Sequence, residues 1–162
     1  LTRKFIERGP VFSADSRWVY FSSWETGKVA IWKIPVEGGE HTRVSADLSG
    51  PRAESPDGKL LLYTESGKVF IAPVAGGPPL KSFDQRGSEY SWTPDGRALT
   101  FVWSRDQVAN LWEQQLDDSE PRKLTNFTTE GIWKYALSPD GKQLVVVRMR
   151  YTSDIVLINN LH

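Results

Sequence analysis

A turn that recurs four times, strands of alternating apolar residues on both sides of it, and a spacing near forty residues together predict an all-β fold of the β-propeller type. The turn reads Ser55-Pro56-Asp57-Gly58-Lys59, Thr93-Pro94-Asp95-Gly96-Arg97 and Ser138-Pro139-Asp140-Gly141-Lys142, with a divergent copy at Ser13-Ala14-Asp15-Ser16-Arg17. Pro presets φ, Asp bonds back to the backbone, and Gly takes the positive φ that other residues resist. The aspartates lie 42, 38 and 45 residues apart. That period suits a propeller blade of four strands.

The strands follow in order. Three residues before each Asp stand Phe12, Glu54, Trp92 and Leu137, on a first strand. Four past it stand Val19, Leu61, Leu99 and Leu144; six past it stand Phe21, Tyr63, Phe101 and Val146. A period of two marks a half-buried second strand, so each copy reads as a β-hairpin. A third strand is expected at 29–34, 68–74, 110–116 and 155–158. Glu37-Gly38-Gly39, Ala75-Gly76-Gly77 and Asp117-Asp118-Ser119 turn the chain into a fourth strand at 42–45, 80–83 and 122–125. The repeats are approximately 9–50, 51–90, 91–135 and 136–162, in a single domain spanning 1–162.

The last unit has no room for a fourth strand after Ile158. Leu1-Thr2 resembles the end of such a strand, matching Leu124-Thr125 one unit earlier. The N-terminal strand is therefore expected to complete the last blade, either within one chain or by exchange between two copies forming a ring from two half-rings. The start at Leu1, in mid-pattern and without Met, reads as a fragment or processed product.

Composition narrows the chemistry. The 162 residues carry 20 basic and 20 acidic side chains and no Cys. The balance and the lack of a basic run argue against nucleic acid, and disulfide and thiol chemistry are excluded. No apolar run approaches the roughly 20 residues of a membrane helix, and no signal-peptide pattern is found.

The Pro-Asp-Gly turns, the Gly-Gly turns and the Leu-Thr pairs together resemble the TolB-like propeller repeat, a Pro-Asp relative of the WD-type repeat. The ending Thr152-Ser153-Asp154-Ile155-Val156-Leu157-Ile158 is similar to the close of propellers that end some bacterial serine/threonine kinases and winged-helix regulators. The resemblance implies a binding or scaffold module, an extracytoplasmic (periplasmic) setting, and rings of six or more blades. The residues themselves specify no compartment. Similar propellers also gate prolyl-oligopeptidase-type peptidases, which is the alternative reading.

Catalysis finds little support. The two histidines are His41 and the last residue, His162, and no Gly-x-Ser-x-Gly elbow exists. A non-enzyme is expected, with no cofactor and no metal. Asp117-Asp118-Ser119-Glu120 reads as a solvated turn rather than a calcium loop, and the four repeat aspartates read as turn residues. Glu54 stands where its siblings are apolar, so it needs a partner. Arg52, two residues earlier on the same strand face, is expected to supply it in a structural ion pair, or a local shift points Glu54 to solvent; the functional alternative makes Arg52 and Glu54 a polar contact in or near a central channel. Of seven Trp, Trp18, Trp32, Trp92 and Trp112 read as packing, while Trp24, Trp103 and Trp133 fall at strand ends or loops. Loops between units and between second and third strands share one face of a propeller. That face is expected to carry Arg8, Trp24, Arg86, Trp103, Arg105, Trp133 and Tyr151, a mixture that suits a protein or peptide partner.

Overall fold

The computed structural model describes residues 8–24, 27–44, 51–117 and 119–150. These residues are all β, in three antiparallel sheets of four strands and one of two. The first sheet holds β1 (Arg8–Phe12), β2 (Trp18–Ser23), β3 (Ala30–Pro35) and β4 (Thr42–Arg43). The second holds β5 (Pro51–Glu54), β6 (Leu60–Glu65), β7 (Lys68–Pro73) and β8 (Lys81–Asp84). The third holds β9 (Ser88–Trp92), β10 (Ala98–Arg105), β11 (Val108–Gln115) and β12 (Arg122–Lys123). In the fourth, β13 (Gly131–Leu137) pairs with β14 (Leu144–Met149). Each full sheet runs as a simple meander in chain order, which is the construction of a propeller blade. The expected closing strands at 1–3 and 155–158 lie outside the described residues.

The recurring turn sets every hairpin. In each copy the hydroxyl of the first residue donates to the Asp carboxylate and accepts the N–H five residues on, as Ser13 does with Asp15 and Trp18. The same Asp oxygen accepts the N–H two residues further, from Arg17, Lys59, Arg97 and Lys142. Gly58, Gly96 and Gly141 have φ of 71°, 69° and 70°, and Ser16, in the divergent copy, is held at 58°. The turn register places Phe12 opposite Val19, Glu54 opposite Leu61, Trp92 opposite Leu99 and Leu137 opposite Leu144.

Alternation then divides each sheet into two faces. Side chains four and six past the Asp face the preceding unit; those five past it face the next. Tyr20 and Ile31 of the first unit thus pack with Leu61, Tyr63 and Ala72 of the second. Leu62, Val69 and Ile71 pack with Trp92 and Leu99. Val102, Ala109 and Leu111 pack with Ile132 and Tyr135. Polar ties cross the same seams: Trp92 Nε1 donates to the Ala53 carbonyl at 3.4 Å, and Tyr135 Oη donates to the Glu89 carbonyl at 2.8 Å.

Every first strand breaks register with a bulge. The breaks lie between Arg8 and Val11, between Pro51 and Ala53, opposite 100–102, and between Ile132 and Lys134. Gly9 and Glu89 occupy positive φ at their bulges, the geometry that lets an extra residue leave the ladder. The strands β9 and β13 begin at Ser88 and Gly131, ahead of the apolar position that aligns the repeats.

The bulge corrects one expectation. Arg52 is itself the extra residue, so alternation does not carry its side chain to Glu54. Arg52 Nε instead meets Thr64 Oγ1 at 3.3 Å. Glu54 reaches back to the first unit, accepting Tyr20 Oη at 2.7 Å and the backbone N–H of Ala14. Burial, then the Glu54 hydrogen bond, hold the Tyr20 phenol well above its usual range. Position 14 is Pro in the other three turns, so only there is an N–H offered.

Candidate functional site

The third unit has the longest hairpin among the described residues. β10 and β11 run eight residues each in unbroken register, from Ala98–Gln115 to Arg105–Val108, whereas their counterparts in the first two units run six. Asp106 and Gln107 close it with φ of 51° and 64°, a two-residue turn whose twist matches the strands. The extra length carries Arg105 beyond the core, just past Trp103.

Alternation puts Phe101, Trp103 and Arg105 on one face of β10, with Trp112 opposite Phe101. The result is a graded ladder. Tyr90 stacks on buried Phe101 at 4.9 Å and 9°. Phe101 approaches half-buried Trp103 at 6.3 Å, and Trp103 meets Trp112 at 4.8 Å. The Arg105 guanidinium lies 3.8 Å from the Trp103 ring centre and 5.6 Å from that of Trp112. Arg86 stands 5.7 Å from Trp103, and Lys123 5.8 Å from Trp112. A cation over an indole face is attracted by the ring quadrupole.

The linker at 85–87 sets the place of Arg86. Gln85 N bonds the Gly67 carbonyl at 2.8 Å, and Arg86 N bonds Tyr90 Oη at 3.1 Å. Gly87 lies so close to β10 that a Cβ there would stand 2.1 Å from the Val102 oxygen. Arg86 also pairs with Glu120 at 2.7 Å, and this bond holds the Glu120 carboxyl below its usual range.

The other expected binding residues are dispersed. Trp24 follows β2 and is 54% exposed. Trp133 is 58% exposed because it is the extra residue of the β13 bulge. Neither makes a ring contact with the Trp103 group among the described residues. The backbone of Arg8 pairs with Ser22 in β1; its side chain, and Tyr151, lie outside the described residues. Nearby, Lys134 pairs with Glu89, and Glu130 holds Arg148 at 3.3 Å and Arg150 at 3.2 Å. A groove of about 600 Å³ opens between Ser104, Gln107, Glu130 and Arg150.

The acidic turn after β11 is bonded to itself. Asp117 Oδ1 accepts the Ser119 N–H at 3.0 Å, and Asp118 lies outside the described residues. Among the described residues no group of three or more His, Cys, Asp or Glu is placed to hold a metal ion. His41 packs against Trp32 and Phe21 at 5.0 and 6.4 Å. No helix among the described residues is long and apolar enough to cross a membrane.

No protein-family model matches the sequence. The chain is 28% identical over 113 residues to an uncharacterized protein of Agrobacterium fabrum, covering 58% of this chain and 39% of that one. It is 32% identical over 85 residues to the uncharacterized peptidase YuxL of Bacillus subtilis, covering 52% of this chain and 13% of the peptidase. The chain thus spans well under half of these relatives. Among solved structures, TolB from Acinetobacter baumannii superposes with a TM-score of 0.74 at 23% identity, over 94% of this chain and 40% of TolB. The fold is that of a TolB-like β-propeller. In a TolB-like propeller the Trp103 ladder belongs to a single blade, with Arg86 supplied by the linker from the preceding one. Sequence spacing singled out Arg86, Trp103 and Arg105 but missed Trp112 and Lys123. The signal was available: Trp112 sits two residues into the same-face alternation of β11, opposite an aromatic.

Proposed function

We propose that the chain is a non-catalytic binding or scaffold module of a TolB-like propeller, recognising a protein or peptide partner on one face. The observation that carries the reading is the solvent-facing group of Arg86, Trp103 and Arg105 at the end of the extended hairpin. Arginine and tryptophan are the residues that anchor protein interfaces most often. Selection from a displayed peptide library on the immobilised chain tests this. Peptides are expected to enrich on the chain and to be lost on a variant carrying Arg86→Ala and Arg105→Ala, the two cations over the Trp103 indole. No enrichment, or enrichment indifferent to that variant, overturns the reading.

An alternative is the gating propeller of a prolyl-oligopeptidase-type peptidase, favoured by the identity to YuxL. A hydrolase domain downstream in the parent reading frame decides for it; a kinase or winged-helix region upstream decides for the module. The TolB-like likeness also motivates an extracytoplasmic setting, with 1–162 acting as one propeller segment.

The finer partner reading is a homodimer in which N-terminal strands are exchanged. The face of β14 that a next blade would cover presents Val145 and Val147, 65% and 45% exposed. Light scattering tests it: a dimer that dissociates when residues 1–4 are deleted supports exchange, and a monomer insensitive to the deletion overturns it.

A further inference from the structure

We propose that the Trp103–Arg105 stack is a docking point for an acidic peptide segment, with Arg105 taking a carboxylate of the partner. This rests on the binding-module reading and names the partner's chemistry.

The geometry divides the work of the guanidinium. Its central carbon lies over the Trp103 indole, 3.8 Å from the ring centre, which is stacking distance. Stacking leaves the N–H donors in the plane of the group free to point sideways, and that fork matches a carboxylate in bidentate fashion. No ion pair is made by Arg105 among the described residues; Asp106, its neighbour in sequence, does not form one with it. Lys123, at the other end of the indole pair, likewise has no ion pair among the described residues. Of the three cations on the two indoles, only Arg86 is neutralised, by Glu120. Two of the three cations thus keep their charge without an ion-pair partner among the described residues, on a chain whose total charge is zero.

The surroundings suit an acidic side chain. The ladder is anchored in the core through Phe101, and Trp103 and Trp112 are half-buried. These indoles offer apolar surface to the stem of an incoming side chain, while exposed Arg105 meets its carboxylate. Arg105 is also held in place before any partner arrives, so less side-chain entropy is lost on binding. An extended peptide carries alternate side chains on one side, so one acidic residue can meet Arg105 while its stem lies along the indoles. A free phosphate shares the anionic chemistry but has no stem to lay on the aromatic surface.

The test uses the whole chain, labelled with nitrogen-15, titrated with blocked hexaglutamate, blocked hexalysine and inorganic phosphate. Hexaglutamate is expected to move the Trp103 indole and Arg105 Nε resonances saturably, with affinity falling as salt is added. Arg105→Ala is expected to weaken that binding about tenfold, and Arg105→Lys to fall between, because charge survives and the planar fork does not. Arg105 is solvent-exposed, so these variants keep the fold, checked by unchanged indole resonances of Trp32 and Trp92. Binding within twofold of the parent chain in Arg105→Ala, equal binding of hexalysine, or phosphate binding as tightly as hexaglutamate each overturns the proposal. If hexaglutamate fails while library-selected peptides still bind, this inference falls and the binding-module reading stands.

Discussion

Position 14 is where the first turn offers an N–H that the other three, with Pro, do not have. Glu54, in the next unit, accepts it together with the buried Tyr20 hydroxyl. Glu54→Leu removes the acceptor for both and is expected to lower stability by about 1–2 kcal/mol, mainly through the Tyr20 hydroxyl. Adding Ala14→Pro to Glu54→Leu takes away the exposed N–H and is expected to recover part of the loss, read from urea midpoints. Equal midpoints for Glu54→Leu and the parent chain would mean that these bonds do not stabilise the seam. Gly87 is a second residue whose role lies in what it touches. Gly87→Ala sets a Cβ against the Val102 backbone oxygen, and a loss of about 1–3 kcal/mol is expected from the forced shift. A melting temperature within error of the parent chain would contradict that contact. Both roles were hidden in the sequence for the same reason. Glu54 stood out as a carboxylate at an apolar repeat position, yet its partners are 34 and 40 residues away, and the bulge that excludes Arg52 has no local sign. Gly87 sat in a polar linker with nothing to mark a close approach.

At the scale of the element, the hairpin turn was legible almost completely, because its chemistry is local. Positive φ at Gly58, Gly96 and Gly141 follows from the residue types, and the structure has it. Gly141→Val is expected to cost about 1 kcal/mol or more, since a β-branched side chain resists that region. Ser16 lives with the same conformation at 58°, so Ser16→Gly is expected to raise the melting temperature; a fall would point to an unrecognised contact of its side chain. The aspartates make the turns sensitive to acid. Hydrogen bonds first from Ser13, Ser55, Thr93 and Ser138, then from the backbone, hold Asp15, Asp57, Asp95 and Asp140 below the usual carboxylate range. The ionised form is favoured by folding, so this contribution is full above the unfolded value near 3.9 and fades as pH falls through the lower folded values. Melting temperature is therefore expected to hold down to about pH 5 and drop below it. Asp57→Asn, measured the same way, is expected to show a shallower drop; an unchanged slope would assign the acid sensitivity to other groups. Bulges were not legible, because each falls in a short first strand ahead of the alternating apolar positions that align the repeats; nor was the eight-residue hairpin, whose added residues on β10 are polar.

For the whole molecule, repeat spacing was enough to name the blade, since four registers agree over 42, 38 and 45 residues. It could not show which side chains meet across neighbouring strands of one sheet, and so it placed Trp103 with Trp24 and Trp133 rather than with Trp112. Seams are also where the chain has an open end. If Val145 and Val147 seat against another sheet, Val145→Lys places a charge in that contact. Self-association measured by sedimentation is then expected to weaken by at least tenfold, and no change would mean that the face stays in water. At the seams already formed, the turn of one unit rests on the turn of the next: Pro56 lies 3.4 Å from where a Cβ on Gly96 would be, and Pro94 3.8 Å from that on Gly141. At the first seam Ala14 and Glu54 stand in for that contact. The natural cut for recombining such a chain therefore runs through the middle of a sheet, not through the linker between two. A first unit grafted ahead of the third would set the Ala14 N–H beside Trp92, and would lose its acceptor to a neighbour left behind.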